Sequence, residues 1–295
     1  MADTKAIANR INSIKDTKKI TNAMYLISST KLRKARKSLE DIRPFFAKLR
    51  EQIGNIVRKI DVKDSRYLVY DDDPVVYEGR TGILVMTADK GLAGAYNQDV
   101  IKEALRIMGR HPDYVLFVMG EYGKHYFASH HIPVDEHFNF ADIEPSLYQA
   151  RMMAGNIMDR YDRGEIDSVY VIYTDFRNAL ASEAVTYRLL PFKISHFTES
   201  LEEEEVEFEY VPSPMEVMEK CIPVYCIGVI YSIMVYSFCC EQNDRMIAMD
   251  AANKNADDLI STLTVQYNRL RQGSITQEIT EISASVKAGK REKNQ

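Results

Sequence analysis

The chain has 295 residues, 45% hydrophobic and 27% charged, which is ordinary for a soluble protein with room for one large or two modest domains. A formal net charge of -5 gives the whole molecule no nucleic-acid footprint, and we read neither a secretory leader nor an eighteen-residue apolar run, which points to an intracellular chain that does not span a membrane. The charge is lopsided all the same. From Met1 to Arg50 thirteen Lys and Arg stand against four acids, net about +9, while compensating acid gathers at Glu202 to Glu205, Glu207 and Glu209.

The first segment, from about Thr4 to Ile60, reads as one long helix. Ile7, Ile11, Ile14, Thr21, Tyr25, Ser28, Leu32, Ala35, Leu39 and Ile42 recur at alternating four- and three-residue steps, with Lys18 in the one gap. Pro44 removes one backbone hydrogen bond, so a bend or interruption is expected there, and Phe45, Phe46, Leu49, Ile53 and Ile56 carry an apolar stripe beyond it. At about 1.5 Å per residue the segment would reach roughly 80 Å. Asp71 to Asp73 and Pro74 then mark a polar linker, giving boundaries of 1–60 for the helix and 61–80 for the linker.

Residues 81–211 alternate between strand and helix. Strands are expected at Ile83 to Thr87, Tyr114 to Met119, Ile132 to Asp135, Ser168 to Thr174 and Ala184 to Leu190, with helices at Gly94 to Met108, Tyr122 to Ser129 and Ser146 to Arg163. Such alternation implies a small, mostly parallel sheet covered by helices, a Rossmann-like α/β domain.

Pro212 and Pro214 mark another helix start, and residues 212–288 can be helical almost throughout, with a bend expected at Pro223 and a length on the order of 110 Å. From Cys240 to Ser283 there is no proline and one glycine, Gly273. Met249, Asn253, Ala256, Ile260, Leu263, Tyr267, Leu270 and Ser274 form a narrow seam in which small and polar residues interrupt a leucine stripe, so a partner helix could approach closely with little hydrophobic gain. The opposite face carries Arg245, Asp257, Asp258, Arg269, Arg271, Gln272, Thr276 and Glu278, mixed in sign, which suits either specific polar contacts or a solvated surface. A long helix at each end and an α/β domain inserted between them predict an antiparallel coiled coil, a rod with a foot. Residues 289–295 form a charged tail.

Candidate chemistry is sparse. The loop Ala88 to Gly94 follows a strand and precedes a helix, but its G-x-x-G spacing fits neither a dinucleotide fingerprint nor a P-loop, so a tight turn is the better reading. His125, His130, His131 and His137 lack the spacing of a metal site, and no catalytic constellation emerges; no catalytic residue, metal or cofactor is assigned. Cys221, Cys226, Cys239 and Cys240 read as helix-core thiols. The basic first helix suits nucleic acid, lipid head groups or an acidic protein surface, of which the protein is the best fit, with plain solvated charge still open.

Three runs carry a resemblance: IANRINSIKDTKKITNAMYLISSTKLRKAR, MTADKGLAGAYN and RMIAMDAANKNADDLISTLTVQYNRLRQGSITQEITEI. In order and spacing they resemble the gamma subunit of the F-type ATP synthase, and the resemblance covers essentially the whole chain. It implies a non-catalytic rotor turning inside a hexamer of alpha and beta subunits, beside the epsilon subunit and on the c ring, at the cytoplasmic face of a bacterial plasma membrane, with neither nucleic-acid binding nor membrane insertion. Matched by position, Arg271, Gln272 and Thr276, with Arg245 and Glu278 nearby, correspond to contacts with the catch loop of a beta subunit. Met24, Lys31, Arg33, Lys34 and Arg36 face its acidic lever loops, and Phe208, Tyr210 and Val211 lie where the foot meets the c ring and epsilon. Val211 stands where an acid is common, and the tail from Gly289 is more charged than the family's apolar end, so it is expected to be disordered or to project beyond the hexamer. Two other classes compete, a nucleotide-binding α/β enzyme with helical extensions and a coiled-coil adaptor.

Overall fold

A computed structural model describes the backbone at 2–72, 79–141, 144–177, 181–199 and 208–292, and side chains within those stretches from Thr4 to Ser283. Asp73 and Pro74 of the linker, the acids at 202–207 and the end of the tail at 293–295 lie outside the described residues. The elements run α1 (Ala2–Val57), a 3-10 turn (Val62–Asp64), β1 (Leu68–Val69), β2 (Thr81–Met86), α2 (Tyr96–Met108), β3 (Tyr114–Met119), α3 (Glu121–Ser129), α4 (Leu147–Asp162), β4 (Ser168–Phe176), β5 (Ser182–Leu190), β6 (Phe192–Lys193), α5 (Ser195–Thr198) and α6 (Pro214–Glu292). Neither Pro44 nor Pro223 interrupts its helix, and α6 continues as helix past 288 into the expected tail. The chain divides into two compact units, 1–27 with 246–295, and 28–245.

The first unit pairs the beginning of α1 with the later part of α6. Thr21 Oγ1 donates to Asn253 Oδ1 at 2.5 Å and Lys18 Nζ reaches Asp257 Oδ1 at 2.5 Å, so one helix climbs as the other descends and the pair is antiparallel. Ile11, Met249, Ala256 and Leu263 are buried on the seam, and Asn253, Ile260 and Tyr267 are half-buried. Lys18 explains its own gap: the stem lies on the seam while the ammonium reaches out to the partner helix. Asp257 therefore belongs to the pairing and leaves the outer face where the sequence pattern put it.

The second unit is built on a four-stranded sheet in the order β3-β2-β4-β5, with β2 parallel to both neighbours and β5 antiparallel at the edge. Every residue of β2 is buried, as a central strand covered on both faces requires. The period-two alternation of strands divides its side chains. Ile83, Val85, Leu116, Val118 and Ile172 meet Val100, Ala104 and Ile107 of α2 and Phe127 of α3. Leu84, Met86, Phe117, Met119 and Val171 face Met153 and Ile157 of α4, with Ile53 of α1 and Ile230 and Met234 of α6 in the same core. Gly120 lies where β3 turns into α3 at φ +91°, and a Cβ there would fall 2.0 Å from the Thr87 carbonyl, so only glycine fits.

Two expectations are corrected. No strand forms at Ile132 to Asp135: Pro133 has no N–H to give a ladder, and Asp135 uses its carboxylate to accept from the His137 and Phe138 amides and to pair with Arg160 at 2.6 Å, a turn-forming role. Second, an apolar run does exist. Cys221 to Cys240 contains no charged residue, and an 18-residue window of α6 reaches a mean hydropathy of 1.8, long and apolar enough to cross a membrane. Of that window 61% is buried inside the protein, where Ile222, Cys226, Ile230 and Met234 pack in the core, so this hydrophobicity serves the interior of the second unit.

Candidate interaction surfaces

In the first unit Arg271, Gln272, Thr276 and Glu278 of α6 are all exposed. Thr276 donates its hydroxyl back to the Gln272 carbonyl at 2.9 Å and accepts through its own carbonyl from Thr280 at 2.8 Å, which keeps both hydroxyls on the helix. Threaded among them are Ile275, Ile279 and Ile282, exposed by 43%, 59% and 63%. At i, i+4 and i+7 they form an exposed apolar stripe along the helix. The polar-contact reading missed this stripe, although its spacing is plain in the sequence.

Arg245 stands apart. It falls in the second unit, is nine-tenths buried, pairs with Glu241 one turn earlier on α6 and donates to the Gly91 carbonyl at 3.3 Å. Gly91 belongs to the Ala88-to-Gly94 loop, whose other groups are also used within the chain. The Ala88 amide donates to Asn97 Oδ1 at 2.9 Å, and Asp89 accepts from the Glu121 amide at 3.0 Å. Ala88 and Ala93 pack on Cys240, and the Tyr96 and Ser237 hydroxyls meet at 2.7 Å. The loop is thus a cradle for α6, packed through its buried alanines, while Gly94 at φ +60° supplies a backbone turn that other residues rarely adopt.

Of the basic cluster, Met24 is half-buried in the first unit and the rest lie in the second. Lys31 lies 5.9 Å over the Phe238 ring, the Arg36 guanidinium 5.3 Å over Phe176, and Lys34 pairs with Glu144 at 2.6 Å, holding that carboxyl below its usual range; Arg33 is exposed. Part of the positive charge is therefore engaged inside the chain. At the other site Lys59 donates to the Phe208 carbonyl at 3.1 Å and lies 5.4 Å from the Tyr210 ring, which is 6.4 Å from Phe208. Val211 beside them is 79% exposed.

The four cysteines all lie on α6, three of them buried, and burial pushes the Cys239 thiol up to about 11, against the pull of nearby Arg36. The four histidines of the sequence cluster are exposed, and no group of three or more His, Cys, Asp or Glu among the described residues is placed to hold a metal.

The fold, a sheet domain carried between long terminal helices, is that of an ATP synthase central stalk. It matches a chain in the cryo-EM structure of the Euglena gracilis mitochondrial ATP synthase, OSCP/F1/c-ring, rotational state 3, with a TM-score of 0.62 at 15% identity, covering 97% of this chain and 94% of that one. The ATP synthase family model matches residues 3–288. An ATP synthase gamma chain of Caldanaerobacter subterraneus subsp. tengcongensis is 39% identical over 94% of this chain and 96% of its own length, and one from Ruminiclostridium cellulolyticum is 38% identical over 96% and 98%. The chain belongs to the gamma-chain family of the ATP synthases, the rotor of the central stalk.

Proposed function

We propose that the chain is a non-catalytic rotor, turned by ion flow through a membrane c ring and driving catalytic beta subunits in an alpha–beta hexamer through successive conformations. The observation that carries this reading is the exposed face of α6 from Arg271 to Glu281, helical and composed of polar groups and isoleucines, where the Thr276, Gln277 and Thr280 side chains bond within the helix. A turning part must favour no one orientation strongly, because differential stabilisation of one angle is a barrier to leaving it. Scattered polar groups and an apolar stripe that slides on other apolar surface suit that requirement.

On this reading Arg271, Gln272, Thr276 and Glu278 meet a beta catch loop. Arg245, nine-tenths buried and paired with Glu241, braces α6 and offers such a loop little surface. Arg33, with the exposed parts of Lys34 and Arg36, faces the acidic lever loops, and Phe208, Tyr210 and Val211 meet the epsilon subunit and the c ring. Peripheral attachment at the cytoplasmic face of a bacterial membrane follows from those partners. Coexpression with alpha and beta subunits from the same host tests the assignment: a complex with one copy of this chain per hexamer is expected, and failure to copurify from conditions in which the hexamer itself forms would overturn it.

A further inference from the structure

From Cys221 to Cys240 α6 runs through the core of the second unit without a charged residue and packs mainly through apolar side chains. Apolar contact is non-directional, so it sets the angle of a helix about its own axis less sharply than a hydrogen bond, which weakens steeply once donor and acceptor fall out of line. Directional contacts gather between Ser237 and Arg245. The Tyr96 and Ser237 hydroxyls, both buried, meet at 2.7 Å, and Ser182 Oγ donates to the two carboxylate oxygens of Asp244 at 3.0 and 2.8 Å. Arg245 donates to the Gly91 carbonyl at 3.3 Å. Ser237, Cys240 and Asp244, at i, i+3 and i+7, share one face of α6, and Arg245 flanks it.

The groups that meet this face are themselves tied to the sheet. Gly91 and Tyr96 follow β2, where the Ala88 amide donates to buried Asn97 at 2.9 Å, the Tyr122 amide donates to the Ala88 carbonyl at 3.1 Å, and Asp89 accepts from the Glu121 amide. Ser182 opens β5 and is paired with Phe176 of β4. A displacement of the sheet therefore reaches α6 through short, bonded connections. Stability alone does not account for Asp244. It is half-buried, and burial, with Asp99 adding to it, raises its carboxyl above the usual range in spite of the bond from Ser182, so the ionised group is a cost to the fold. A polar contact kept at such a cost fits a role in fixing geometry.

We propose that these contacts form the joint through which the sheet domain turns α6, with Tyr96, Ser182, Ser237 and Asp244 as positioning residues that set its torsional stiffness. This role rests on the rotor reading and adds where torque crosses from the sheet domain to the helix.

The test uses complexes with the hexamer fixed to glass and a bead on the sheet domain, attached at exposed Val211→Cys in a Cys221→Ser background. Each pair is removed whole, so that no buried group is left without its partner: Tyr96→Phe with Ser237→Ala, and Ser182→Ala with Asp244→Ala. The four changes together should leave the urea midpoint, the ATP hydrolysis rate and the spacing of the rotary stops as in the wild type, and should widen the angular spread of the bead at each stop. If thermal melts show the combined variant to be unfolded, Tyr96→Phe with Ser237→Ala is read alone. Arg163→Gln with Asp159→Asn, which removes an exposed pair on the far end of α4, should leave the spread unchanged. An unchanged spread in the folded joint variants, or equal widening in the α4 variant, overturns the proposal. A wild-type complex that hydrolyses ATP without rotating would overturn the rotor reading, and this role with it.

Discussion

Arg245 and Arg271 show how far apart two arginines of one helix can be in what they do. Arg245 and Glu241 are exposed by only 10% and 5% at their side chains, so Arg245→Ala would strand a buried carboxylate and also the Gly91 carbonyl. Such a loss costs about 3–5 kcal/mol. Arg271→Ala, on an exposed face, should stay within about 0.5 kcal/mol of the parent. Urea unfolding of the two full-length variants separates them, and equal midpoints would remove the bracing role given to Arg245. His196 makes a second prediction. Its folded pKa, about 4, lies below the ordinary 6.5, so the unfolded chain takes up the proton first. The contribution to stability is complete above pH 6.5 and is lost as pH falls towards 4. His196→Gln should flatten that part of the stability–pH curve, and an unchanged slope would place the titration elsewhere. Sequence alone could not separate these residues: nothing in the spacing of Arg245 says that Gly91, 154 positions earlier, supplies its acceptor.

The paired helices of the first unit are joined by polar contacts where a stable coiled coil would carry leucine. Replacing Thr21 and Asn253 together by leucine removes one cross-helix hydrogen bond and adds apolar burial, and should stabilise the pair by about 1–3 kcal/mol. A higher urea midpoint with an unchanged slope would report it, whereas a lower midpoint would mean that the Thr21–Asn253 bond is itself a main support. These helices were legible from their sequence because one seam repeats over many turns, each of Ile11, Ala256 and Leu263 restating the same period. The β2, β3 and β4 strands were legible as apolar runs between turns. Other elements were not. The β1–β6 pair is two residues on each side and joins Leu68 to Phe192, too short and too distant for any local pattern. The run Cys221 to Cys240 was overlooked because tyrosines and serines dilute it, yet as a core helix it meets α1, the sheet and α4 and needs little polar surface. At the candidate surfaces, the exposed polar residues of α6 followed from the sequence, while the internal pairing of Lys34 with Glu144 depended on the tertiary fold.

For the molecule as a whole, family membership fits the exposed, locally bonded face of α6 between Arg271 and Glu281. The helix continues to Glu292, so the charged end extends the α6 axis. Deleting 289–295 should leave assembly with the hexamer and coupling intact, as judged by copurification and ATP-driven ion pumping, and loss of either would assign the tail a contact of its own. The central claim is that this chain turns. With the hexamer fixed to glass and a bead attached through a cysteine introduced at exposed Val211, ATP should drive rotation in one direction, with discrete stops that match the number of beta subunits. A bead that only diffuses about its mean angle while the same complexes hydrolyse ATP at full rate would contradict the account.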